Sequence, residues 1–261
     1  MNRVRQPAVA GLFYPGDPDE LRQVVRRYLQ VPQNTGAPPK ALIVPHAGYA
    51  YSGPVAATAY ARLRPLAGRI QRVVLLGPAH RVPLGGLALP ESDEFATPLG
   101  RVKVDAQAAE KLVRLPQVQT WEGAHALEHS LEVHLPFLQE LLGHFAIVPL
   151  VVGDARPEEV AQVLEALWGG EETLILVSSD MSHYHDYQTA RRLDGHTART
   201  IENLDIAQLR PEQACGCLGI QGLLLAAQRR NMAVRCVDLR NSGDTAGPRD
   251  RVVGYGAYVV S

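Results

Sequence analysis

The chain has 261 residues, 46% of them hydrophobic and 20% charged, with a net charge of −1 at pH 7. That composition builds a sizeable globular core, and a near-neutral balance without blocks of one sign excludes the footprint of a nucleic-acid or anionic-membrane binder. No apolar run approaches the roughly 20 residues that span a bilayer, the N-terminus "MNRVRQPAVAGLFYPGD" lacks a sustained apolar region, and three cysteines are too few for a disulfide framework, so a cytoplasmic protein is expected.

In chain order, "GDPDELRQVVRRYLQ" announces the first helix, with Asp17 as N-cap, Pro18 at the first helical position and Glu20 completing a capping box. The linker-like "VPQNTGAPPK" (31–40) is too short to separate domains. Apolar runs with strand character follow at 41–45, 72–77, 86–90, 146–152, 173–179, 233–239 and 252–260. They are short, rich in Val, Leu and Ile, and mostly not alternating, as in strands buried on both faces. Helical patterns lie between them at 54–64, 105–114, 130–142, 157–167, 187–203 and 212–230. This alternation predicts an α/β domain, a mostly parallel central sheet with helices on both faces, its last run an edge or antiparallel return strand.

Ligands of open α/β sheets bind beyond the carboxyl ends of the strands. Three predicted strands end alike: 41–45 runs into His46, 72–77 into "PAH" with His80, and 173–179 into Asp180 and His183. If these strands are parallel neighbours, the four residues meet on one rim, and their joint placement points to a metal or acid–base site. Two imidazoles and an anionic third ligand suit iron, copper or zinc. Asp180 and the thiolate of Cys215 both qualify as that third ligand. Cys215, near the start of an apolar helix, is expected to have a lowered pKa, whereas Cys217 and Cys236 read as small buried residues.

A further cluster, "HALEHSLEVHLPF" (125–137), places Glu128 with Glu132 and His125 with His129 on shared faces if it is helical. It reads either as an amphipathic helix start facing solvent or as a lining in which Glu128, His129 and His134 support the site. "NSGDTAGPRD" (241–250) reads as a turn rather than an anion nest, having no phosphate-loop lysine.

The ordered series "PAVAGLFYPGDPDEL", "VPHAGYAYSGPVAATAY", "LLGPAHR", "ATPLGRVKVD", "EHSLEVHLPFLQ", "VPLVVGD", "SSDMSHYHDY", "CGCLGI" and "GYGAYVV" resembles the Memo family, mediator of cell motility in animals and system protein B of the AmmeMemoRadiSam set in prokaryotes. The resemblance runs from about residue 3 to 260. It implies a single domain over 1–261, similar in fold to the class III extradiol dioxygenases, which use non-haem Fe(II). It places metal ligands on His46, His80 and Cys215, and Asp180 and His183 at the same pocket, with His183 where the dioxygenases keep an acid–base histidine. Tyr49, Tyr51 and Tyr184 are expected to line it. The family name implies a functional link to radical-SAM and AMMECR-type proteins. Dioxygenases hold iron with two histidines and a carboxylate; a thiolate in the third position favours softer ions, so ring cleavage does not carry over. The readings are a redox enzyme using Fe(II), with copper as the alternative, acting on a small molecule or peptide; a non-catalytic peptide-binding module; or a zinc hydrolase.

Overall fold

Asp17 starts the first helix as its side chain predicts. Its carboxylate accepts from the backbone N–H of Asp19 and Glu20 at 3.0 and 2.9 Å, and Leu21 and Val25 bury the inner face. Glu20 does not return the bond, so the cap is one-sided and not a capping box.

The computed structural model describes residues 3–32 and 36–261, so 33–35 of the linker-like stretch lie outside the described residues. The first half runs β1 (Val4–Arg5), α1 (Pro18–Tyr28), β2 (Ala41–Val44), α2 (Tyr49–Tyr60), β3 (Arg72–Pro78), β4 (Leu87–Leu89), β5 (Glu94–Thr97), β6 (Gly100–Val104), α3 (Ala106–Leu112), β7 (Val118–Thr120) and α4 (Glu122–His125). The second half runs α5 (Leu135–Leu142), β8 (Ala146–Val152), α6 (Pro157–Ala166), β9 (Thr173–Ser178), β10 (His183–His185), α7 (Tyr187–Glu202), α8 (Cys217–Gln228), β11 (Val234–Asn241) and β12 (Val252–Val260).

The main sheet has the order β1-β5-β6-β8-β3-β9-β2-β12-β10, with β11 also on β12 and β4 bridging β8 and β7. Its centre, β8-β3-β9-β2, is parallel, and β12 returns antiparallel to β2. The side chains explain why these runs look uniformly apolar. Leu42, Val73, Leu75, Leu174 and Leu176 face one core, with α1, α2 and α5; Ile43, Val74, Leu76, Ile175 and Val177 face the other, with α3, α6 and α8. Both faces are dry, so no polar alternation survives.

Helix starts differ from the sequence patterns. The second helix begins at Tyr49 rather than 54, carrying Pro54 inside it, because Tyr49 N–H already bonds Phe13 O at 2.7 Å. The last begins at Cys217 rather than 212. The 125–137 cluster is not one helix: α4 ends at His125 and a 3-10 turn at Glu132–His134 leads into α5. His125, Glu128, Ser130, Glu132 and His134 are all buried, which overturns the solvent-facing alternative. Residues 241–250 form a closed turn in which the Asn241 side chain accepts from Gly243 N–H and Asp244 from Asn241 N–H. No helix among the described residues is long and apolar enough to cross a membrane.

Candidate metal centre

Because β3, β9 and β2 are parallel neighbours, with Leu76 beside Val177 and Val44 beside Ser178, their exits share one rim. His46 and His80 leave two residues past β2 and β3, and Asp180 two past β9. Cys215 arrives from the loop before α8 and is laced to that exit. Its N–H donates to Asp180 O at 3.2 Å, Asp180 N–H donates to its Sγ at 3.2 Å, and Gly216 N–H donates to Ser179 Oγ at 2.9 Å. A Cβ on Gly216 would collide with the Ser178 carbonyl, so this approach requires glycine. The donor atoms of His46, His80 and Cys215 consequently lie within 4.8 Å of one another, with His46 Nε2 3.4 Å from Cys215 Sγ.

Both histidines are held from behind. His46 Nδ1 is 2.6 Å from Ser178 Oγ, which is 2.8 Å from His134 Nε2, and His134 Nδ1 is 2.7 Å from the Tyr60 hydroxyl. Strand alternation sets this chain: Ser178 follows Leu174 and Leu176 onto the α2 side of the sheet, where Tyr60 waits. Burial first, and then the neighbouring imidazoles, push His46 and His134 well below the ordinary histidine range. His80 is fixed by Glu128, whose carboxylate accepts its backbone N–H at 2.7 Å and its Nδ1–H at 3.0 Å, and also Ser130 N–H at 2.9 Å. Burial alone would raise the Glu128 carboxyl, but these donors outweigh it and bring it down to about 2. His129 stacks on His80 with ring centroids 4.8 Å apart, and its Nδ1 lies 3.4 Å from Glu128 Oε1.

Asp180 Oδ1 accepts from His46 N–H at 2.8 Å, and Oδ2 stands 4.0 Å from His46 Nε2. Burial raises its pKa, against the pull of that bond and of His183, whose charge also bears on His46. His183 opens β10, opposite Val253. Cys215 departs from its expectation: burial first, then Asp180, push its thiol up to about 12, and no helix start lies at the residue to lower it. Cys217 is buried among apolar side chains, as expected, and Cys236 is half-buried.

The structure separates the three expected tyrosines. Tyr49 is built into the core, its hydroxyl donated to Val133 O at 2.6 Å and its ring against Phe137, so it does not line the rim. Tyr51 and Tyr184 are exposed, and both are close enough to Tyr255 to perturb it, as is Asp180. Ser178, Tyr60 and Tyr255 lie within the stretches that carry the resemblance but are not marked there as site residues: a serine closing an apolar strand and two tyrosines within apolar elements carry no chemical signal of their own.

A parallel α/β sheet whose strand exits gather two imidazoles and a thiol defines a candidate metal-binding protein. The family described as "Memo-like protein" matches residues 5–259, and the chain belongs to it. A "MEMO1 family protein" of Aquifex aeolicus is 37% identical, with 97% of each chain covered, and one of Sulfolobus acidocaldarius is 35% identical over the same shares. Among solved structures, an uncharacterized protein from Escherichia coli K12 superposes with a TM-score of 0.56 at 14% identity, over 84% of this chain and 98% of the other, a likeness of fold alone.

Proposed function

We propose that this rim is a metal-dependent redox centre holding iron(II), with copper as the alternative, and acting on a small molecule or peptide in the reducing cytoplasm. One observation carries the reading: His46 and His80 are each anchored through Nδ1, by Ser178 and by Glu128, which leaves Nε2 as the free nitrogen beside Cys215. Metal-ligating imidazoles are oriented in this way. The donor set fits an ion, and binding would displace the thiol proton that burial otherwise retains. Iron or copper held there supplies one-electron or oxygen chemistry; the sulfur makes the set softer than two histidines and a carboxylate, and is itself oxidisable.

The chain's own residues supply the remainder. For His46 Nε2 to offer a lone pair, Nδ1 must carry the proton. It then donates to Ser178 Oγ, Ser178 donates to His134 Nε2, and His134 Nδ1–H is given to the Tyr60 oxygen. Asp180, with a pKa raised by burial, holds or releases a proton beside His46, and His183 moves it to or from substrate.

His80→Ala should lower iron uptake on anaerobic reconstitution while leaving the fold intact; unchanged stoichiometry removes His80 from the site. A zinc hydrolase is the second reading, favoured by three nitrogen and sulfur donors, the ligand types and number that leave a catalytic zinc one open position for water. Turnover restored by zinc and not by iron under anaerobic conditions selects it.

A further inference from the structure

The rim carries a second set of donors. His80, Glu128 and His129 also offer atoms within 4.8 Å of one another, but here the third group is a carboxylate instead of a thiol. His80 Nδ1 and His129 Nδ1 stand 3.0 and 3.4 Å from the same Glu128 oxygen. With metal–ligand bonds of about 2.1 Å, neighbouring donors lie about 3.0 Å apart in an octahedron and about 3.4 Å in a tetrahedron, so both separations fall within the range that donors around one ion span. His129 Nδ1 is buried without a hydrogen-bond partner. A lone pair or N–H left so is costly, and an ion would relieve it. The Glu128 carboxyl group accepts three hydrogen bonds, which leaves part of its lone-pair capacity free.

We propose that the rim offers two alternative cation positions sharing His80: the thiolate position for soft or borderline ions such as Cu(I) and Zn(II), and the His80–Glu128–His129 position for hard ions such as Mn(II). Sharing makes them exclusive. A neutral imidazole has one lone-pair nitrogen. With Nδ1–H donated to Glu128, Nε2 serves the Cys215 side; with Nδ1 on an ion beside Glu128, Nε2 carries the proton. The inference rests on the rim being a metal pocket, and the test separates the two claims.

Mn(II) and Zn(II) affinities are measured on the whole chain and on His46→Ala and His129→Phe, the latter keeping a ring against Phe13 and His80. His129→Phe should weaken Mn(II) by about tenfold or more and leave Zn(II) within about threefold, and His46→Ala should do the reverse. Mn(II) binding that survives His129→Phe, falls in both variants, or is absent from the wild type overturns the second position. Zn(II) binding indifferent to His46→Ala overturns the thiolate set on which it rests. If His129→Phe does not fold, His129→Ala is measured against the same outcomes.

Discussion

Glu132→Gln should destabilise the chain severely, although it changes one atom on a residue that touches no proposed ligand. Glu132 is wholly buried and ion-paired with the Arg5 guanidinium, itself 2% exposed. Its carboxylate also accepts from Ala8 N–H at 2.7 Å, Val9 N–H at 3.0 Å and the Tyr14 hydroxyl at 2.5 Å, so it fastens residues 5–14 to the stretch that carries Glu128 and His129. An amide has one acceptor oxygen. Whichever way it turns, its NH2 faces either Arg5 and Ala8 or Val9 and Tyr14, and the Arg5 charge loses its counter-ion. Breaking a buried pair by removing one charge costs about 3–5 kcal/mol, and each donor left without an acceptor about 1–3 kcal/mol, so the loss should be at least about 4 kcal/mol. That is a large part of the roughly 5–15 kcal/mol that holds a domain folded. Urea unfolding reads it as a lowered midpoint with an unchanged slope. Because Arg5 and Glu132 form one network, Arg5→Met with Glu132→Gln should cost less than the two singles summed, by about 1 kcal/mol or more. A loss in Glu132→Gln below about 1 kcal/mol, or strict additivity, would mean that the Arg5–Glu132 pair does not hold these segments together.

Three further outcomes follow from the same structure. Glu128→Gln, which removes the charged acceptor behind His80, should weaken Zn(II) by about tenfold to a hundredfold in a chelator competition, and an unchanged constant contradicts the orienting role. His125, buried and donating Nε2–H to Ala88 O, is lowered by that burial from 6.5 to about 4. Its folded value lies below its unfolded one, so its contribution is complete above pH 6.5 and is lost as pH falls towards 4, by on the order of 3 kcal/mol. His125→Gln should flatten that limb of the urea midpoint against pH, and an equally steep limb assigns it elsewhere. Gly222 lets α8 close on α6 where a Cβ would collide with Val160; Gly222→Ala should cost about 1–3 kcal/mol in the same assay, and Val160→Ala should recover part of it.

How much of this was legible in the sequence depends on the range of the interaction concerned. Among the described residues the seven apolar runs predict every strand of six residues or more; in β3, β8, β9 and β12 burial on both faces leaves an unbroken hydrophobic signature, whereas β11 is mostly half-buried. The short β5–β6 hairpin and β10 are half-exposed and leave none. His46, His80 and Asp180 can be read together because each follows a strand and parallel strands end on one side. Cys215 sits in a loop 35 residues beyond Asp180 and is joined to it only by the fold, through backbone bonds and a glycine. Its electrostatics are hidden for the same reason: the sequence shows a helix start nearby, while the structure buries the thiol beside a carboxyl group. In 125–137 the polar residues suggested a helix face, but Glu128 and Glu132 turn to different partners, His80 and Arg5, which spacing does not encode.

The most direct measurement is the metal content of protein purified anaerobically, wild type beside Cys215→Ser. Near-stoichiometric iron or copper is expected in the wild type and little in the variant, if the thiolate is the anionic donor of the proposed set. No metal in either protein, even after reconstitution, would contradict it and leave the rim a metal-free binding pocket.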